Sequence, residues 1–388
     1  MGRQLGLFSF HDEAPGAPFF HPRGAKVYNR MIDYSRHMQQ HDYQEIKTPL
    51  ILNESLWKRT GHYDNFRDNM FFTSTEKVNY CVRPMNCPGA ALLYGEQPHS
   101  YKELPMRLSE YGLDHRCELS GVLHGLFRVR AFTQDDAHIF CTPAQIADEI
   151  KNIIKLALVV YKKFGFEKVL FALSTRPEKS IGSDAQWQAA EKDLHDVLTS
   201  MGLVYKLQPR EGAFYGPKIE MKIEDAMGRE WQCGTAQIDF NLPERFELEY
   251  VDADQSRKRP VIVHRVIFGS VERFFGIVLE SVKGHLPFWV APIQMRILTI
   301  TDDQQEYATT LLGNLNKSGY RVEVDKSGDQ ISAKIRRAQV EKIPWMLVLG
   351  KKEQENQTIT LRTVDGKQQF GLTLEVLLEM AQKINSFE

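Results

Sequence analysis

The chain has 388 residues, 42% apolar and 26% charged, with a net charge of −1. It is long enough for two or three domains with a substantial core, and it lacks a global positive charge that would draw it to nucleic acid. Five cysteines without a Cys-x-x-Cys pair argue against a disulfide framework. No signal-like N-terminus and no run of roughly 20 apolar residues is present, so a cytoplasmic chain without membrane contact is expected.

Helical spacing of Val27, Met31, Tyr34 and Met38 predicts a helix from Gly24 to Gln40. Tyr43 to Thr48 reads as a strand ended by Pro49, which cannot donate to a ladder. Ala144 to Phe164 is a strongly amphipathic helix, with Ile146, Ile150, Ile153, Ile154, Leu156, Val160 and Tyr161 on one side. A short strand, Val169 to Leu173, precedes a helix from Asp184 to Ser200 that Ser183 can cap. Lys218 to Glu224 and Arg229 to Gly234 alternate around Met227-Gly228 as a hairpin, and Ser270 to Val282 is a helix.

After Pro287 and Pro292 the pattern changes. Strands at 297–300, 321–324, 345–349 and 359–362 interleave with helices at 304–316, 331–342 and 372–384. That alternation predicts a small α/β domain with a mixed sheet. The earlier part, which mixes hairpins with longer helices, reads as α+β around a largely antiparallel sheet. The boundary is placed so that residues 1–290 and 291–388 form the two domains.

Three distant segments each hold a good metal ligand: Cys87 in Pro84-Met-Asn-Cys-Pro-Gly89, His138 in Thr133-Gln-Asp-Asp-Ala-His138, and His264 in Val263-His-Arg265. One thiol and two imidazoles make a zinc set with an open fourth position. Their spacing is too scattered to form a local zinc signature. Taken singly, Cys87 would be a small buried apolar residue and either histidine a packed one.

Further words accompany them: Tyr43-Gln-Glu-Ile-Lys-Thr-Pro49, Arg116 to Phe132, Glu211-Gly-Ala-Phe-Tyr-Gly-Pro-Lys218 and Gly269-Ser-Val-Glu-Arg-Phe274. With these the chain resembles the class II aminoacyl-tRNA synthetases, and within them the threonyl-tRNA synthetase family, over essentially its whole length. Tyr43 to Pro49 looks like motif 1, Arg116 to Phe132 motif 2 and Gly269 to Phe274 motif 3. The resemblance implies a class II catalytic domain followed by an anticodon-binding domain. It also implies a threonine–tRNA ligase that uses ATP, L-threonine and tRNA(Thr), and a homodimer joined through motif 1. Family members carry N-terminal domains, one of which hydrolyses mischarged seryl-tRNA. This chain is expected to lack that region and to form seryl-tRNA that it does not clear. Whether it is shortened or naturally short and served by a separate editing factor stays open.

Site roles follow from the same resemblance. Arg116 would bridge the α-phosphate and the amino-acid carboxylate, Arg273 would grip the γ-phosphate, and Arg128 would be a third phosphate contact. A guanidinium suits such work because its planar fork matches phosphate oxygens and stays charged. Adenine would lie between Phe132 and the face of Arg273, with Glu118 on its exocyclic amine and magnesium on the phosphates. Cys87, His138 and His264 would hold zinc, and threonine would complete its coordination. Asp136 would accept from the threonine hydroxyl, Tyr215 would hold the amino group, and Met85, Gln134 and Gln237 would line the pocket. Such a site answers a selectivity problem: an apolar pocket separates threonine from isosteric valine only about 100-fold, whereas groups that require an oxygen reach roughly 10⁴. His62, in Thr60-Gly-His-Tyr-Asp64, matches a histidine near the tRNA terminal adenosine. Arg336, Glu353 and Arg362 match anticodon-contacting positions. Two departures stand out: Ala90 where the family has histidine, and Gly328 where it has asparagine.

Overall fold

The computed structural model describes residues 1–225 and 227–387. They group into two compact units, one of Phe10–Pro18 and Ser35–Ile277, the other of Met1–Ser9, Phe19–Tyr34 and Val278 onward. The 290/291 boundary placed from the sequence lies inside the second unit.

The first unit is built on eight strands. In chain order these are β1 (Gln44–Glu45), β2 (Met106–His115), β3 (Ala131–Cys141), β4 (Val169–Ser174), β5 (Tyr205–Gln208), β6 (Lys218–Glu224), β7 (Glu230–Asp239) and β8 (Val261–Val266). Their order across the sheet is β5-β4-β6-β7-β8-β3-β2-β1. All neighbours are antiparallel except the edge pairs β1–β2 and β4–β5. The expected hairpin is present as β6–β7, but β7 runs five residues past Gly234 and so carries Gln237 and Asp239 into the sheet. The expected strand at 43–48 shrinks to β1. Thr48 gives its N–H and hydroxyl to the buried Glu110 carboxylate (2.8–3.1 Å) rather than to a ladder.

Helix α1 (Pro22–Gln39) follows the sequence expectation and begins on a proline, whereas α2 (Cys87–Tyr94), which starts just after Asn86, was not expected from the sequence. Helix α3 (Ile146–Lys163) lays Ile150, Ile153, Ile154, Ala157 and Tyr161, all fully buried, against β7 and β8. Burying aliphatic side chains on this scale stabilises by about 1.5–3 kcal/mol each, before the entropy of ordering them. Helix α4 (Asp184–Ser200) starts at Ser183, whose hydroxyl accepts from the Gln186 N–H as anticipated. Helix α5 (Val271–Ser281) follows β8 through a turn that only glycine permits. Gly269 has φ +80°, and a Cβ there would lie 2.6 Å from the Cys233 carbonyl oxygen.

The second unit holds a five-stranded mixed sheet: β9 (Met295–Thr299), β10 (Val322–Asp325), β11 (Trp345–Leu349), β12 (Ile359–Thr363) and β13 (Gln368–Leu372), in the order β10-β9-β11-β12-β13. The first two neighbour pairs are parallel and the rest antiparallel. Helices α6 (Gln305–Lys317), α7 (Ile331–Val340), α8 (Lys351–Asn356) and α9 (Leu374–Asn385) accompany them. The alternation of strands and helices matches the α/β expectation. The edge strand β13 went unpredicted because it is largely exposed and its two alternate apolar residues, Phe370 and Leu372, are too few to mark a strand. The N-terminal segment joins this unit through ion pairs and ring contacts: Arg23 pairs with Glu341 (2.7 Å) and Glu323 (3.4 Å), Arg296 bonds both carboxylates too, and Tyr34 lies against Trp289 with ring centroids 5.1 Å apart.

Candidate functional site

Strand β3 explains how scattered residues meet. Phe132, Gln134, Asp136 and His138 occupy alternate positions and so share one face of the sheet. Across the neighbouring strands, His138 is paired with His264 on β8, and His264 with Gln237 on β7. Cys87, in the first turn of α2, closes on this rung. One ligand atom from each of Cys87, His138 and His264 lies within 4.8 Å of the others, and all three side chains are buried. That distance is close to the span of two metal–ligand bonds of about 2.0–2.3 Å. The two imidazole rings stand at 82° with centroids 5.0 Å apart.

The hydrogen bonding around the trio fits a cation. His138 Nε2 is buried with no hydrogen-bond partner, which is costly for a ring nitrogen unless something else occupies it. His264 Nε2 bonds the Asp239 carboxylate at 3.0 Å, leaving its other nitrogen as the ligand. Asp239 is itself fixed, accepting from the N–H groups of Asn241 (2.7 Å) and Leu242 (3.1 Å). Without a cation the groups are poorly suited to one another. Burial, then the carboxylates of Asp136, Asp239 and Asp114, pushes the Cys87 thiol well up, while burial and His264 hold His138 well down. The neutral His138 ring already suits a cation, and a bound cation would reverse the thiol's preference by favouring thiolate.

A cleft of about 590 Å³ opens from the trio, lined also by Met85, Gln134, Asp136, Tyr215 and Gln237. Tyr215 donates its hydroxyl to Gln237 Oε1 (2.8 Å) and lies against the His264 ring, centroids 5.1 Å apart. Burial raises the Asp136 carboxyl, opposed by a hydrogen bond from Asn86.

Arg116, Glu118, Arg128, Phe132 and Arg273 line the same cleft. The guanidinium over Phe132 is that of Arg116, 5.1 Å from the ring centroid, rather than that of Arg273. Arg273 instead donates to the carbonyls of Phe127 (2.8 Å) and Gln232 (3.4 Å). Burial lowers its pKa, and the nearby Arg116 and Arg128 guanidiniums add to that. Arg128 pairs with Glu118 at 2.9 Å, so these two side chains face one another across the cleft mouth. Three cations around one cleft form a ready seat for a polyphosphate.

His62 is not among the lining residues but lies behind them. It is 1% exposed, bonds Thr60 Oγ1 at 2.7 Å, and places Nε2 3.2 Å from Met85 Sδ and 3.9 Å from Cys87 Sγ. Burial holds its pKa down to about 3, so the ring is neutral. Ala90 packs among apolar side chains on α2, including Cys87 and Tyr94.

The three residues expected to read an anticodon lie in the second unit and differ in kind. Arg336 is exposed on α7. The Glu353 carboxylate accepts from the Gly350 N–H (3.0 Å) and the Thr360 hydroxyl (2.8 Å); burial alone would raise it, and these bonds bring it below the usual range. Arg362 on β12 has a buried Nε without a partner. The Thr360–Glu353 bond links Glu353 to the face of β12 that also carries Arg362.

Two contributors escaped the sequence reading, Asp239 behind His264 and Asn86 beside Asp136. Asp239 had a usable signal, since it follows Gln237 by two in a strand and so shares its face.

Comparison with known proteins places these features. The family model for the tRNA synthetase class II core domain (G, H, P, S and T) matches residues 71–282, and that for an anticodon binding domain matches residues 289–384. The threonine–tRNA ligase of Clostridium tetani is 50% identical over 386 residues, covering 99% of this chain and 60% of the relative. That of Desulfatibacillum aliphaticivorans is 50% identical over 382 residues, covering 98% and 60%. A crystal structure of the RNA binding domain of threonyl-tRNA synthetase from Cryptosporidium parvum superposes with a TM-score of 0.96 at 41% identity, covering 99% of this chain and 97% of that one. The chain thus spans about 60% of the length of the curated relatives it matches. Among the described residues no helix is long and apolar enough to cross a membrane.

Proposed function

Because the chain belongs to the class II tRNA synthetases, within the threonyl branch, we propose that it acts as a threonine–tRNA ligase. The threonine carboxylate attacks the α-phosphorus of ATP, pyrophosphate leaves, and the threonyl group then passes to the 3′ end of tRNA(Thr). Residues 1–290 carry the chemistry and residues 291–388 the tRNA recognition.

One observation carries this reading. A thiol and two imidazoles, one with a partnerless buried nitrogen, converge in the same cleft as Arg116, Arg128 and Arg273. Cys87, His138 and His264 would hold zinc, which when bound supplies a Lewis-acidic position for an amino group and a hydroxyl oxygen that valine cannot satisfy. Asp136 accepts from the substrate hydroxyl, and Tyr215, held by Gln237, meets the amino group. Met85 and Gln134 bound the space left for the side-chain methyl.

Charge builds on the phosphorus oxygens during adenylate formation, so prepositioned cations do most of the catalytic work and no general base is required. Arg116 contacts the α-phosphate and the carboxylate, Arg273 the γ-phosphate, and Arg128 a further phosphate oxygen, with magnesium accompanying ATP. Phe132 stacks on adenine, and Glu118 accepts from its amino group once Arg128 turns to the phosphates. In the transfer step His62, buried behind Met85 and Cys87, would act near the terminal adenosine through those neighbours. Arg336, Glu353 and Arg362 meet anticodon bases, and motif 1 joins two copies of the chain.

Threonine-dependent ATP–pyrophosphate exchange tests activation, and charging of tRNA(Thr) tests transfer. Exchange indifferent to threonine, or purified protein that carries no zinc after expression in zinc-replete medium, would refute the reading.

A further inference from the structure

Asn86 precedes α2 at a position where asparagine ordinarily caps a helix, yet its side chain makes no capping bond. Its amide nitrogen instead reaches two buried carboxylates, donating to Asp136 Oδ2 at 3.0 Å and to Asp114 Oδ2 at 3.1 Å. Its carbonyl oxygen is buried with no partner. With the nitrogen on this side, one amide group serves both carboxyl oxygens at once.

Asp114 is the fixed end of this bridge. It lies 3.6 Å from Arg83 Nε, and Arg83 is bonded to Thr48 Oγ1 (2.6 Å) and Glu110 (3.1 Å). Asp136 is the other end, and it faces the cleft. A glycine makes room for the amide: a Cβ at Gly112 would lie 2.0 Å from Asn86 Oδ1.

We infer that Asn86 is a specificity-determining positioning residue: it holds one oxygen of Asp136 to an anchored post, so that the carboxylate presents a fixed acceptor to the substrate hydroxyl. This rests on the threonine reading of the cleft. A group held in one orientation discriminates by leaving the wrong substrate unpaired, whereas a mobile carboxylate finds other partners and loses that power. Gly112 belongs to the device as the residue whose missing side chain seats the amide.

The test uses ATP–pyrophosphate exchange with threonine and with valine on the full chain and two variants. Asn86→Leu keeps the approximate volume and removes both donors; Gly112→Ala leaves Asn86 in place and displaces its amide. In each, kcat/KM for threonine should fall about 100-fold, largely through KM, valine should change little, and the KM for ATP should stay within about twofold. If Asn86→Leu does not fold, Gly112→Ala decides alone, because its clash is with the end of a side chain. Equal losses for threonine and valine, or an equal rise in the KM for ATP, would overturn the inference while leaving the function intact. Parent protein without threonine-dependent exchange would overturn both.

Discussion

The two units differ in how many buried polar side-chain atoms they leave without partners among the described residues. In the first unit His138 Nε2, on the cleft, and Asp114 Oδ1 and Asn86 Oδ1, behind it, are buried without hydrogen-bond partners, as are side-chain atoms of Trp57, Tyr94, Tyr111, His115 and Arg265. In the second unit, charges are largely matched: Arg23 and Arg296 with Glu323 and Glu341, and Arg337 with Asp325 and Asp329. Arg362 Nε is the one buried atom without a partner there among the described residues. Each orphan costs about 1–3 kcal/mol. Such an atom marks a candidate ligand contact where it also lines a cleft, as His138 does, while the unpaired atoms of Asn86 and Asp114 lie behind the lining residues and belong to the support.

The largest effect expected from that contrast is at the arginines. Arg273→Ala should lower the exchange rate by about 10³-fold with little change in thermal stability, because its guanidinium faces the cleft and binds only two backbone carbonyls. A loss of folding in step with activity would show that it belongs to the scaffold instead. Next comes the trio. His138→Ala should abolish zinc binding by metal analysis and reduce threonine-over-valine selectivity about 100-fold. Asp239→Asn, which keeps the shape and weakens the hold on His264, should reduce zinc affinity about 10–100-fold in a chelator competition. Zinc binding unmoved by either change would break the comparison.

In the second unit the same rule ranks the expected RNA contacts. Arg362→Ala should lower charging of tRNA about tenfold while leaving exchange intact. Glu353→Gln should change charging less, since that carboxylate is already engaged at the start of α8. The reverse ranking would show that hydrogen-bond satisfaction does not mark ligand contacts here.

The smallest effect concerns a carboxylate of the first unit that is fully satisfied. Asp225 accepts from the N–H groups of Met227 and Arg229, from Arg229 Nε and from Trp231 Nε1. Burial alone would raise it, and those bonds bring it to about 2. Its folded pKa lies below its unfolded value, so its contribution is present above pH 4 and is lost as pH falls through about 2. Asp225→Asn should therefore lower urea stability at pH 7, and the gap to the parent should close near pH 2. A gap independent of pH would remove the carboxylate's charge from the account.

How much of this was legible in the sequence depends on where each element sits. The one-sided helices α3 and α4 and the interleaved strands and helices after Pro292 announce themselves by period. Strand β8 does not: Val261 to Val266 is buried on both faces, so no alternation marks it. Strand β3 hides for another reason. Its cleft face is Phe132, Gln134, Asp136 and His138, a period of two written in polar residues where hydrophobic patterning looks for apolar ones. Cys87, His138 and His264 are legible as a candidate ligand set all the same, because their flanking words resemble a family. Asn86 stood inside one of those words unremarked, since nothing local tells which carboxylates an amide will meet across fifty residues of chain.

The rung that sets His264 opposite His138 has a consequence for how the sheet assembles. Side chains alternate faces along a strand, so a slip of one residue between β3 and β8 would carry one imidazole through to the far side. Only the native pairing can bring both rings to Cys87. Capture of an ion would thus reward one alignment of the two strands over its near neighbours, and the proposed zinc centre would also act as a gauge of correct strand register.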